Sequence, residues 1–170
     1  MDRYDGFEQW AAARSPALSR SAYLLTGEAS AAEDLVQEAL IAAARVWPRI
    51  ADDPEPYVRR VLYTKSVDRW RRRPRLEVLV EPPASATSVD DRQVEVTRAV
   101  TLQRALAKLT PRQRAVLVLR YFEDLTEVQA AHVLGCSQST VKSQTRDALD
   151  RLRSLAPALL ADHDDAEVSR

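Results

Sequence analysis

Gln138, Ser139, Lys142, Ser143 and Arg146 are side chains of the types that read nucleic acid. Lysine and arginine donate to guanine edges or phosphates, glutamine pairs with adenine, and serine adapts to either. All five fall in "SQSTVKSQTRDALDRL", where Val141, Thr145, Ala148 and Leu152 recur at spacings of four, three and four. On a helix those four residues form an inward stripe and leave the polar five outward, near the N-terminal half. The segment is predicted to present a groove-reading face.

A second cluster is "RRVLYTKSVDRWRRRPR", residues 59–75, with eight basic side chains against the single acid Asp68, and Tyr63 and Trp70 among them. Cations suit a phosphate backbone, and aromatic faces offer platforms for unstacked bases. Catalytic chemistry has little support. His132, His163 and Cys136 are scattered, no glycine-rich phosphate loop occurs, and no nucleophile is evidently brought to a base. The chain is therefore expected not to be an enzyme. The tail "ADHDDAEVSR" reads as a solvated acidic segment, so neither metal nor cofactor is expected.

The elements that must hold these residues follow from periodicity and punctuation. In "LTEVQAAHVLGCSQSTVKSQ", Thr126 is predicted to cap a helix reaching Leu134, Gly135 to supply a positive backbone angle, and Ser137 to cap a last helix running to about Leu155. Ala131 lies four residues before Gly135 and Val141 six after it, the pattern of a helix-turn-helix whose helices cross closely. Two helices precede it, "VTRAVTLQRALAKL" and "TPRQRAVLVLRYFEDL", the latter with Thr110 as N-cap and Pro111 at its first position. Upstream, one helix is expected from about Gly6 to Leu25, with Phe7, Trp10, Ala11, Leu18, Ala22 and Leu25 buried and Gly27 ending it. A second starts with Ser30 as N-cap and Glu33 at capping-box spacing, carries the stripe Leu35, Ala39, Ala42, Ala43 and Val46, and stops at Pro48. A third runs from about Tyr57 to Arg73, with Val58, Val61, Leu62 and Trp70 inward.

The predicted fold is all-α: two small helical domains, residues 1–73 and 97–155, joined by a flexible proline-containing acidic linker at 74–96 and followed by an acidic tail at 156–170. The formal net charge of zero conceals this alternation of basic modules and acidic connectors. Within the linker, "LEVLV" is the one strand-like run, and no second run exists to pair with it. No apolar stretch approaches the roughly 20 residues that cross a bilayer. With the acidic N-terminus and a lone cysteine, this predicts a cytoplasmic chain without a membrane partner.

Four segments in order, "AEDLVQEALIAAARVW", "EPYVRRVL...DRWRRR", "LTPRQRAVLVLRYFEDLTEVQAAHVLGCS" and "STVKSQT...ALDRLR", resemble bacterial extracytoplasmic-function (ECF) RNA polymerase sigma factors, the actinobacterial sigma-E-like set above all. The resemblance spans about Phe7 to Arg153. It implies core RNA polymerase, through its beta and beta-prime subunits, and promoter DNA as partners, and leaves an anti-sigma factor open. By the same resemblance Asp34, Leu35, Gln37 and Glu38 bind the polymerase clamp. Arg60, Thr64, Asp68, Arg71 and Arg72 melt and read the minus-ten element, and Gln138, Ser139, Lys142, Ser143 and Arg146 read the minus-35 element. Two positions depart from the family pattern: Thr64 replaces a usual asparagine, and Asp147 a usual arginine, which puts a carboxylate near phosphates. The linker, at most roughly 75–80 Å when extended, spans the two turns of duplex that separate such elements. The other reading is a helix-turn-helix regulator that binds duplex DNA on its own and uses its N-terminal helices to dimerise or sense a ligand.

Overall fold

The computed structural model describes residues 4–72 and 91–157, at 70–72 and 91–96 for the backbone only. The described residues form seven α-helices and no strand: α1 Phe7–Thr26, α2 Ala29–Ile50, α3 Glu55–Arg72, α4 Asp91–Ala107, α5 Pro111–Leu117, α6 Glu127–Leu134 and α7 Gln138–Leu155. A π-helical turn, Val118–Phe122, prolongs α5.

In the first module, α2 lays Leu35, Val36, Ala39, Ala43 and Trp47 against α1 and α3. Trp47 meets the ring of Phe7 edge-on at 5.1 Å, and its indole N–H donates to the Asp5 carbonyl at 2.7 Å, so the ring is buried without an unmet donor. Gly27 ends α1 in the left-handed region, at φ 77°, and returns its N–H to Tyr23 at 2.8 Å. Two expected boundaries are corrected. Ser30 does not cap α2, because the helix already begins at Ala29 after Glu28, and the Ser30 hydroxyl donates instead to the Glu28 carboxylate. Pro48 does not stop α2, which runs on to Ile50: so near the end, its missing N–H deprives only one carbonyl a turn earlier.

The second module follows its caps. Thr110 and Thr126 each form a reciprocal capping box, with Gln113 and Gln129, and the Ser137 hydroxyl accepts from the Thr140 N–H. Gly135 sits at φ 64° between α6 and α7, where a side chain would be strained. Ala131, Val133 and Val141 are buried at the crossing of these helices. α4 begins earlier than expected: residues 91–96, assigned to the linker, are helical. The remaining linker with "LEVLV", and the tail beyond residue 157, lie outside the described residues.

The two modules share apolar packing. Leu18, Leu35, Val58, Leu62 and Tyr63 from the first belong to one buried cluster with Val116, Leu119, Ala131 and Val141 from the second. A smaller cluster within the second module joins Leu106, Leu109, Leu117 and Leu152.

Candidate nucleic-acid interface

α7 is held from below and open above. Val141, Ala148 and Leu152 are buried, as the periodicity predicts, while Gln138, Ser139, Lys142 and Arg146 are exposed. Gln138 donates to the Glu127 carboxylate at 3.1 Å, which orients its amide. Ser143 differs from the expectation of an outward reader. It is half-buried, and its hydroxyl donates to the Thr140 carbonyl at 3.0 Å, as serine in a helix readily does. Asp147, the departure flagged in the sequence, lies 3.4 Å from both Nε and Nη2 of Arg146, so its charge is offset by its neighbour. The outcome is a face of amide, hydroxyl, ammonium and guanidinium groups with the donor pattern of a major-groove reader.

On α3, Arg60, Thr64 and Asp68 stand at four-residue intervals on a single strip. Thr64 donates its hydroxyl to the Arg60 carbonyl at 2.7 Å, while Arg60 and Asp68 remain exposed. The strip faces the second module. Thr64, Val67 and Asp68 line a cavity of about 280 Å³ whose opposite wall includes Arg112, Gly135 and Cys136. Arg71, Arg72 and Trp70 have side chains outside the described residues.

Tyr63, expected to offer a face to unstacked bases, is fully buried, and its hydroxyl donates to Glu123 at 2.7 Å. Burial, reinforced by the Glu123 charge, pushes its phenol well above the usual range, so it stays a donor. Much of the neighbouring basic cluster is engaged in ion pairs. Arg59 pairs with Glu55 and Glu123, Lys65 with Glu38, and Arg69 with Glu38 and Asp34. Arg60 keeps its guanidinium at the surface, near Gly135.

These pairs also define the α2 surface. Asp34 and Gln37 are exposed, and Glu38 is part-exposed between Lys65 at 3.2 Å and Arg69 at 2.9 Å. Burial acts to raise the Glu38 pKa, but the Lys65 hydrogen bond and the charges of Arg69 and Lys65 together hold it below the usual carboxylate range. Leu35 is not part of that surface. It is fully buried, and it already belongs to the apolar stripe that predicted the inner face of α2.

Two further residues went unpredicted. Glu123 follows the π-helical turn and accepts hydrogen bonds from Ser21 at 2.8 Å, Tyr63 and Arg59. Arg114 is buried at 1% exposure and donates to the carbonyls of Leu106 at 2.8 Å and Leu25 at 2.7 Å, near the ends of α4 and α1. Burial lowers its pKa to about 10, so it remains a cation at two negative helix ends. An arginine amid the apolar run of "RAVLVL" was the only signal in the sequence.

Comparison with known proteins matches both modules. Residues 11–76 fit the profile of sigma-70 region 2, and residues 105–154 that of sigma-70 region 4. The RNA polymerase sigma-E factor of Streptomyces avermitilis is 39% identical over 149 residues, covering 86% of this chain and 83% of that protein. The ECF RNA polymerase sigma factor SigM of Mycobacterium tuberculosis is 30% identical over 156 residues, covering 91% and 78%. Among solved structures, the sigma factor RpoE of Bartonella quintana, crystallised with the anti-sigma factor NepR, superposes with a TM-score of 0.68 at 24% identity, covering 89% of this chain and 97% of that one. CnrH in complex with the cytosolic domain of CnrY gives 0.62 at 24% identity, covering 89% and 88%. At that identity the two structures speak to fold alone.

Proposed function

Since the chain belongs to the sigma-70 family, in its extracytoplasmic-function group, we propose that it binds core RNA polymerase, directs it to specific promoters and helps melt the DNA to start transcription. The observation that carries this reading is the order of the two family regions on this fold: region 2 on α1–α3, and region 4 on the capped helix-turn-helix that presents the polar α7 face. A regulator acting alone would explain the second module but leaves the first without its region 2 role.

In this mechanism Asp34, Gln37 and Glu38 on α2 contact the polymerase clamp, with Lys65 and Arg69 fixing the Glu38 carboxylate. The α3 strip of Arg60, Thr64 and Asp68, continued by Arg71 and Arg72, takes the non-template strand of the minus-ten element. Gln138, Ser139, Lys142 and Arg146 enter the major groove of the minus-35 element, Ser143 adding at most a backbone-side contact. The protein performs no chemistry of its own: polymerase makes the bonds, and this chain supplies position and strand separation. It works in the cytoplasm, where its partners are, and none of the described helices is long and apolar enough to cross a membrane. An anti-sigma factor is a further expected partner, on the pattern of the Bartonella protein solved with NepR.

Run-off transcription from a library of genomic fragments, with purified core and with or without this chain, tests the proposal. Discrete promoter-specific transcripts are expected only with both. Their absence from every fragment contradicts it.

A further inference from the structure

On α7, Gln138, Lys142 and Arg146 follow one another at intervals of four along the outward face, a strip about 12 Å long at the helical rise. A carboxylate stands at each end of it. Glu127, in the first turn of α6, accepts from the Gln138 amide at 3.1 Å, and Asp147 lies beside Arg146. Successive residues on a helix point about 100° apart, so Asp147 flanks the strip and meets Arg146 from the side.

The side it meets is specific. Asp147 Oδ1 is 3.4 Å from Nε and 3.4 Å from Nη2 of Arg146. Those two nitrogens share one edge of the planar guanidinium. The other fork, formed by Nη1 with the outer N–H of Nη2, can give guanine O6 and N7 two parallel hydrogen bonds. A carboxylate on the first edge therefore leaves the base-reading fork open. The Arg146 side chain is 72% exposed, and an unbraced guanidinium so placed turns freely and is drawn to the nearest phosphate, a contact that carries no sequence information. Asp147 opposes this twice: it narrows the orientations open to the guanidinium, and its charge weakens the local attraction for phosphate without occupying the fork.

We propose that Asp147 is a positioning residue for recognition of the minus-35 element: it holds Arg146 by the Nε–Nη2 edge, so that the free fork reads a guanine instead of settling on a phosphate. The inference rests on the proposed role of α7 for its DNA target. It makes affinity and specificity move in opposite directions when the carboxylate is lost. Without Asp147 the chain should bind duplex more strongly and choose among sequences less well.

The test uses the full chain with core polymerase and a promoter library randomised across the upstream element, comparing the natural protein with Asp147→Ala, Asp147→Asn, Arg146→Ala and the double variant. Asp147→Ala should lose about fivefold in preference for guanine at one base pair, the scale of an exposed ion pair. Arg146→Ala should lose preference at that same pair, and the double variant should be no worse than Arg146→Ala alone. Affinity of Asp147→Ala for unrelated duplex should rise, with a salt dependence steeper by about one. Asp147→Asn, which keeps an acceptor without the charge, should fall between, and no variant should shift thermal unfolding. Loss of preference at a different base pair, independent of Arg146, overturns the proposal in favour of Asp147 reading a base itself. Unchanged preference and salt dependence in Asp147→Ala overturn it as well. If the natural chain with core shows no upstream preference at all, the sigma-factor reading fails. Nitrogen-15 relaxation at Arg146 Nε in the free chain then decides the brace: greater mobility in Asp147→Ala supports it, and equal mobility overturns it.

Discussion

The two helices that carry the proposed reader residues, α3 and α7, are built on opposite principles. α7 is sorted by face: a buried stripe of Val141, Ala148 and Leu152 fixes the helix, and the opposite side, proposed to read DNA, is open to solvent. α3 does not. Val58, Leu62 and Tyr63 are fully buried, Arg59, Lys65 and Arg69 are tied in ion pairs to α2 and to Glu123, and the Arg60, Thr64, Asp68 strip lies beside the second module. The difference teaches that one proposed reader can be altered without disturbing the fold, whereas the other is part of the structure that positions it.

The largest expected effect tests the α3 half. Leu62→Ala removes a fully buried side chain from the shared core and should cost about 2–5 kcal/mol of stability. It is checked by thermal or urea unfolding of the full chain. If stability moves by under about 1 kcal/mol, α3 is not the packed element described. The next effect tests α7. Lys142→Ala with Arg146→Ala should lose about 1–3 kcal/mol of discrimination per base contact, measured as competition between promoter and scrambled upstream element in the presence of core. Unfolding should shift by no more than about 0.5 kcal/mol, since both side chains are exposed. A variant that unfolds early would break the contrast between the helices.

The smallest effect concerns the α2–α3 ion pairs. The folded pKa of Glu38 is held below its usual value, so its pairing contributes stability that is present above the unfolded pKa and lost as pH falls through the folded one. Lys65→Ala should raise the Glu38 pKa toward the ordinary carboxylate range, read by NMR titration. An unshifted titration would show that Lys65 does not hold this carboxylate.

Local structure was legible where side chains act on their own backbone. Thr110, Thr126 and Ser137 cap as their positions predict, and Gly135 turns where φ must be positive. The α7 face was legible because an inward stripe defines an outward one. Other features depend on partners distant in sequence. Tyr63 and Glu123 are 60 residues apart, and Arg114 and Leu25 are 89 apart, so no periodicity links them. Leu35 shows the reverse: its stripe announced burial, and the family role assigned to its neighbours drew it to the surface. Ser30 failed as a cap because capping-box spacing identifies a competent residue without fixing the turn in which the helix begins.

The most direct measurement is footprinting on a transcribed promoter with this chain alone, core alone and the two together, joined to permanganate probing of unpaired thymines near the start site. Protection of both the minus-35 and minus-ten elements, with reactive thymines between the latter and the start, is predicted only when chain and core are combined. Strong, sequence-specific duplex protection by the chain alone, unchanged by core and without unpaired thymines, would contradict the account.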